Sequence, residues 1–133
     1  MAIVSFKGNF LYLCLDEDLS MLILFDVVFL EEAYDFLKNI NPKHREKILY
    51  NIRKSQIEPD VALFKKLHEE IWEFRTRYQR TQYRMLAFWD KSESASTLVI
   101  TTHGFIKKQS KVPSREILRA LKTKEQYFKE KKK

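Results

Sequence analysis

Residues 70–108 are the part of the chain that most constrains its fold. They contain three runs of aromatic and β-branched residues, 71–78, 83–89 and 97–102, separated by short polar breaks. Val, Ile, Thr, Phe, Tyr and Trp at this density are typical of strands in a half-buried sheet. The three runs therefore predict a small antiparallel meander around which the rest of the chain is organised.

The first run alternates aromatic and charged side chains. Because side chains two residues apart share one face of a strand, the two sets should lie on opposite faces. Arg84 lies in the second run, and His103 stands where the third run ends. The stretch thus predicts a cationic face with one histidine at its rim. The aromatic set is Trp72, Phe74 and Tyr78, and the charged set is Glu73, Arg75 and Arg77.

Two helices are predicted before the meander. Residues 21–29 favour a strand, and residues 30–40 carry apolar side chains at helical spacing. Asn41 and Pro42 suit the cap and the first position of a second helix. Helices joined this closely form an antiparallel hairpin, and its apolar stripe should pack on one face of the sheet. The second helix directs Ile48, Leu49 and Ile52 inward and Lys43, Arg45, Lys47, Arg53 and Lys54 outward.

Shorter segments carry expectations of their own. Residues 61–67 suggest a short helical or irregular connector. Residues 79–82 contain no Gly or Asn-Gly, which favours a longer loop over a tight two-residue turn. Gly104, a lone glycine at a strand end, indicates positive φ or a close approach of the backbone. Pro113 opens a last helix over residues 114–131.

The length and composition bound the class of protein. A chain of 133 residues suits one domain with a real core. We divide it into an N-terminal extension, residues 1–20, and a single domain, residues 21–133; the extension is either upstream of a start at Met21 or an added strand. The one cysteine, Cys14, excludes a disulfide framework and is typical of a reducing cytosol. Without a membrane-spanning run, a signal peptide or a Cys/His cluster, we expect a cytoplasmic protein that uses no metal or cofactor.

The charge balance favours a polyanionic partner. The formal charge is +7. Residues 1–20 hold one lysine and three acidic residues, a net of −2, so the remainder carries +9. That excess favours nucleic acid first and a membrane surface second. The alternative is that the charge serves solubility alone.

Four short motifs, in their order and spacing, resemble the RelE/ParE toxin superfamily. They are IWEFR at 71–75, YRMLAFW at 83–89, HGFIKK at 103–108, and Lys111 and Pro113 before a helix that contains Ala120 and Tyr127. The branch concerned is the HigB-like, phage-derived toxins of type II toxin–antitoxin pairs, and the resemblance covers residues 21–128. It implies an α+β fold in which two N-terminal helices pack on a small, mostly antiparallel sheet, with a C-terminal helix.

The resemblance also implies an activity and partners. Toxins of this kind include ribosome-dependent endoribonucleases that cut messenger RNA in the decoding site. The expected partners are therefore the ribosome, messenger RNA and a cognate antitoxin, typically a helix-turn-helix protein.

Metal-free RNA cleavage requires cations around the crowded phosphate. Arg75 and Arg84 match positions at which RelE-type toxins place catalytic cations. An arginine stays protonated and cannot act as a base, but it holds phosphate oxygens bidentately. Lys107 and Lys108 match the basic segment after the last strand. Either lysine would serve as an acid if burial or like-charged neighbours lowered its pKa.

The reaction also requires a base for the 2′-hydroxyl proton and an acid for the departing 5′-oxygen. His103, whose unperturbed pKa lies nearest neutrality, is the first candidate for either role. Glu73 shares the parity of Arg75 and would act as a base or orient the arginines; RelE has a lysine at its place. His44 and His68 are interpreted as solvated bystanders. The predicted RNA or ribosome contacts are Arg77, Arg80, Tyr83 and Lys111.

Three alternatives stay open from the sequence. The charged residues of the strands would also suit an exposed cross-strand charge ladder without function. A ParE-type toxin would act on DNA gyrase and cleave no RNA. A non-catalytic basic RNA-binding or interaction module would bind without chemistry.

Overall fold

A computed structural model describes residues 3–5, 23–92 and 97–132. The described strands form one six-stranded sheet in the order β1-β2-β6-β5-β4-β3, in which β2 and β6 pair in parallel and every other pair is antiparallel. The predicted α+β class is confirmed. The strands are β1 (Ile3–Ser5), β2 (Asp26–Leu30), β3 (Phe64–Lys66), β4 (Trp72–Tyr78), β5 (Thr81–Asp90) and β6 (Leu98–Ile106), and the helices are α1 (Glu31–Asn39), α2 (Pro42–Ile57) and α3 (Ser114–Lys131).

The helices cover both faces of the sheet. α1 and α2 pack through residues such as Leu37 and Ile52 on the face that carries Phe74 and Met85. α3 packs through Ala120 and its neighbours on the opposite face. The two predicted N-terminal helices on one face of the sheet and the predicted C-terminal helix on the other are therefore confirmed.

The local sequence signals predict the start of α2 correctly, but they place one of its side chains on the wrong side of the helix. The Asn41 side chain accepts a hydrogen bond from the Lys43 backbone nitrogen at 2.8 Å, and Pro42 is the first residue of α2. Arg53, predicted to face outward, is 4% exposed, so that prediction is wrong. The buried side of α2 is wider than the apolar stripe, because it also includes Asn51 and Gln56.

The meander is present, and β6 is longer than predicted. It extends through residues 103–106. Just before these residues, an irregularity between Leu86 and Ala87 of β5 leaves Thr102 without a register partner. A bulge of this kind changes which face the following side chains occupy. His103 consequently pairs with Leu86 on the α3 side and is 1% exposed. The prediction that it lies at the rim of the sheet is wrong.

Three connecting segments differ from expectation. Gln79 and Arg80 form a two-residue turn, both with positive φ (48° and 66°), between the paired residues Tyr78 and Thr81, where a longer loop was predicted. The segment predicted to be a connector contains the edge strand β3, because it pairs with β4. Residues 23–25 precede β2 rather than extend it, and residues 21 and 22 of the predicted first strand lie outside the described residues.

Of the two alternatives predicted for Gly104, positive φ and a close approach of the backbone, the structure shows the second. Its φ is not positive. A Cβ at this position would lie 2.5 Å from the ring of Phe36 and would also collide with the sulfur of Met85. The close approach of α1 to β6 therefore requires glycine here.

The division at residue 20 stays a prediction. β1 pairs with β2 through its backbone, while residues 6–22 lie outside the described part of the chain. Among the described helices, none has the length and apolarity to cross a bilayer.

Candidate functional site

The register of β4 and β5 brings two arginines together on the α3-side face of the sheet. Arg75 and Arg84 are direct cross-strand partners. The carboxylate of Glu73 lies between them, with Oε1 3.4 Å from Arg75 Nε and 3.6 Å from Arg84 Nε. The side chains of Glu73 and Arg84 are each 4% exposed, and that of Arg75 is 33% exposed. The three residues therefore lie on one face of the sheet, as the sequence predicts, and their charged groups contact each other.

Arg84 is held in one orientation by its neighbours. Its Nη1 donates to the Tyr83 carbonyl oxygen at 3.0 Å, and its Nη2 donates to Gln82 Oε1 at 3.2 Å. Burial lowers the pKa of Arg84, Glu73 opposes that effect, and Arg75 adds to it. A guanidinium nevertheless stays protonated at neutral pH. Arg84 is therefore a fixed, partly desolvated cation.

Two lysines join the arginines. The backbone nitrogen of Lys107 donates to the Gln82 carbonyl at 2.7 Å, which places this lysine beside β5. Burial lowers the pKa of Lys107, and the repulsion of Arg84 lowers it further. Lys65 of β3, which the sequence analysis missed because β3 was not recognised, pairs in register with Glu73. We call Lys65, Glu73, Arg75, Arg84 and Lys107 the cationic cluster.

The cationic cluster lies beside α3. α3 packs on β5 and β6. Lys65 and Arg77, at the β3–β4 side of the same face, are exposed. With four cations and one carboxylate, the cluster has a formal charge of +3. Cations held side by side on neighbouring strands can bind a phosphate group through several oxygens.

His103 is separated from this surface by its burial under α3. Its Nε2 lies 3.1 Å from Glu116 Oε1, and its Nδ1 lies 2.9 Å from Thr102 Oγ1. Burial lowers the pKa of His103, repulsion by Arg119 adds to that effect, and the hydrogen bond to Glu116 opposes it. Its Nε2 donates to Glu116, since a carboxylate oxygen can only accept. Both ring nitrogens of His103 are thus engaged by protein side chains.

The other predicted contacts fall into two groups. Arg77, on the face of Arg75, and Arg80, in the β4–β5 turn, are exposed near the cluster, as are Lys108 and Lys111 in the loop that precedes α3. Tyr83 lies on the opposite face, is 5% exposed, and has a pKa raised by burial. It is therefore not part of the surface that carries the arginines.

His44 is not a solvated bystander. It is half-buried, with Nδ1 2.6 Å from Tyr83 Oη and Nε2 2.9 Å from Gln79 Oε1. The ring also packs edge-on against Tyr78 and Tyr83, with centroids 5.0 and 5.6 Å away. No sequence signal indicates these contacts, because they join residues more than 30 positions apart. Within the described part of the chain, no group of His, Cys, Asp or Glu side chains is arranged to hold a metal ion.

Comparison with known proteins identifies the family. The model of the family described as "Phage derived protein Gp49-like (DUF891)" matches residues 35–125, which include every member of the cationic cluster. The chain belongs to this family, a HigB-like member of the RelE/ParE toxin superfamily. No curated protein and no solved structure matches the chain.

Proposed function

We propose that this Gp49-like protein is the toxin of a type II toxin–antitoxin pair and acts as a ribosome-dependent endoribonuclease on messenger RNA. The observation that carries the proposal is the convergence of Arg75, Arg84 and Lys107 around Glu73 on one face of the sheet, where the Arg75 side chain is 33% exposed. An exposed cross-strand charge ladder without function would not require a buried guanidinium such as that of Arg84. The family membership supports the same proposal at the coarser level of a toxin.

In the proposed reaction the 2′-oxygen attacks the adjacent phosphorus, and the bond from phosphorus to the 5′-oxygen breaks. Arg84 and Arg75 hold the non-bridging oxygens as negative charge develops on them. Lys107 donates a proton to the departing 5′-oxygen, because its lowered pKa makes it a stronger acid than an ordinary lysine. Glu73 orients both guanidinium groups.

The 2′-hydroxyl proton requires an acceptor. We assign this role to Glu73 Oε2, which is buried beside the arginines and receives no hydrogen bond from the described residues. Both ring nitrogens of His103 are already hydrogen-bonded within the protein, which disfavours it. The products are a 2′,3′-cyclic phosphate and a 5′-hydroxyl.

Induced expression in a bacterial host tests the activity. The wild-type chain, Arg75→Ala and Arg84→Lys are compared for growth arrest and for new messenger RNA 5′ ends. Lys54→Ala is the matched control, because it removes one exposed positive charge from the last turn of α2, which packs on the opposite face of the sheet from the cluster.

Cuts within translated messages, present in the wild type and control and lost in Arg75→Ala, are the expected result. Arrest without cuts would replace the proposal with a gyrase-directed toxin. Absence of arrest from soluble, folded wild-type protein would leave a non-catalytic RNA-binding module.

The antitoxin proposal follows from the charge of the cluster. We propose that a helix-turn-helix antitoxin masks the cluster with acidic side chains, since the proposed active cations must be shielded in the inactive pair. Binding of the antitoxin should therefore weaken in Arg75→Ala and in rising salt. A complex that leaves Arg75, Arg84 and Lys107 open to solvent would overturn direct masking.

A further inference from the structure

The β4–β5 turn has a conformation that its own residues do not favour. Gln79 and Arg80 have φ of 48° and 66°, so both central residues of the two-residue turn are left-handed. Such turns ordinarily use Asn, Asp or Gly, because a side chain beyond Cβ crowds the backbone there. A contact from outside the turn would therefore help to select this conformation.

His44 of α2 supplies that contact from the opposite side of the sheet. Its Nε2 donates to Gln79 Oε1 at 2.9 Å, since a carbonyl oxygen can only accept. Its Nδ1 then accepts from the Tyr83 hydroxyl at 2.6 Å. The ring also packs against Tyr78, so His44 contacts the residue before the turn, the turn itself and β5. His44 lies in the first turn of α2, which Asn41 and Pro42 fix in place.

The turn so held presents an arginine beyond the cationic cluster. Arg75 and Arg84 form one cross-strand pair, Arg77 and Gln82 form the pair two residues nearer the turn, and Arg80 lies in the turn. Arg77 and Arg80 are exposed. These arginines continue the charge of the cluster along β4 to the tip of the hairpin.

We propose that His44 is a positioning residue for RNA binding: it fixes the β4–β5 turn so that Arg80 contacts the phosphates of the strand lying on the cationic cluster. This inference rests on the proposed function for its ligand, single-stranded RNA. It does not require that the RNA is cleaved. His44 itself touches no RNA in this arrangement.

A double-mutant cycle tests the proposal. The affinity of the purified chain for a single-stranded RNA oligonucleotide is measured at low salt for wild type, His44→Ala, Arg80→Ala and the double variant. Each single variant should weaken binding by about fivefold, as expected for one exposed charge contact. The double variant should bind no more weakly than Arg80→Ala, because His44 acts through Arg80.

Two further variants guard against a merely structural effect. His68→Ala removes an exposed histidine from the loop before β4 and should leave affinity unchanged. His44→Gln keeps an amide donor for Gln79 and should restore most of the binding if His44→Ala folds poorly. A double variant weaker than Arg80→Ala by the full factor of His44→Ala would overturn the proposal.

The conformation of the turn is read separately by NMR. Backbone couplings and amide exchange of Gln79 and Arg80 should change in His44→Ala and stay native in His68→Ala. Unchanged couplings in a folded His44→Ala would overturn the positioning role. Absence of RNA binding by the wild type would overturn the ligand and the proposed function, and the NMR result would still decide whether His44 fixes the turn.

Discussion

Replacing Glu73 with Gln removes the one negative charge of the cationic cluster and keeps the size of the side chain. Oε1 lies within 3.4 Å of Arg75 and 3.6 Å of Arg84, so both cations lose their counter-charge and repel each other. Breaking a buried ion pair costs about 3–5 kcal/mol. One partner, the Arg75 side chain, is 33% exposed, and the amide keeps an acceptor, so we expect a loss of about 2–3 kcal/mol.

That loss is measurable by thermal unfolding. For a domain of this size it corresponds to a fall in Tm of about 10 °C. RNA affinity should move in the opposite direction, because the formal charge of the cluster rises from +3 to +4. One more net positive charge should strengthen the attraction to RNA by about 1 kcal/mol, which corresponds to binding about fivefold tighter.

Sulfate distinguishes this account from a general loss of packing. A divalent oxyanion that occupies the place of the phosphate should raise the Tm of Glu73→Gln more than that of the wild type. Sucrose, an uncharged excluded solute, should raise both by the same amount. The reasoning is refuted if Glu73→Gln is as stable as the wild type, or if sulfate and sucrose act alike on the two proteins.

Three further predictions concern the last helix, the proposed acid and the α1 contact. Asp90→Asn should destabilise the protein by about 2 kcal/mol at pH 7 in calorimetry, because the carboxylate accepts from Tyr127 and Lys131 at 2.6 Å. Burial alone would raise the pKa of Asp90, but these hydrogen bonds outweigh burial and hold the pKa below its usual range. The contribution of Asp90 to stability is therefore present above about pH 4, and the stability difference between Asp90→Asn and the wild type should narrow as the pH falls below that. Lys107→Arg should keep RNA binding and lower the cleavage rate by about a hundredfold, since arginine does not release its proton. The wild-type cleavage rate should fall as the pH rises through the lowered pKa of Lys107, and the rate of the variant should not show this fall. Gly104→Ala should cost about 1–3 kcal/mol in urea unfolding, and a neutral result would contradict the contact with Phe36.

The predictable parts of the fold rest on local chemistry. The proline before α3 and the Asn41-Pro42 pair before α2 act within a few residues, so the sequence locates both helix starts. The two-residue period of β4 likewise places Glu73 and Arg75 on one face without knowledge of their partners. Charge and parity together therefore predict most of the cationic cluster.

The missed features depend on contacts distant in sequence. The bulge at Thr102 turns His103 under α3, although simple alternation would have placed it with Thr101 on the α1–α2 side. The β4–β5 turn lacks the residues that usually form it and coincides with a contact from His44, 35 positions away. Patterns within a window of a few residues contain no information about either arrangement.

The position of Glu73 offers a physical reason why two arginines can occupy neighbouring strands before any ligand is bound. Two guanidinium groups facing each other across a cross-strand pair repel, and one of them, Arg84, is nearly removed from water. A carboxylate between them offsets both the repulsion and the lost hydration. A phosphate oxygen arriving from solvent offers the same cations a second anion, from the side on which Arg75 is still exposed. A cluster built in this way keeps a net charge of +3 that attracts a polyanion. Under the proposed function, Glu73 would therefore both stabilise the unbound protein and limit how tightly RNA is held.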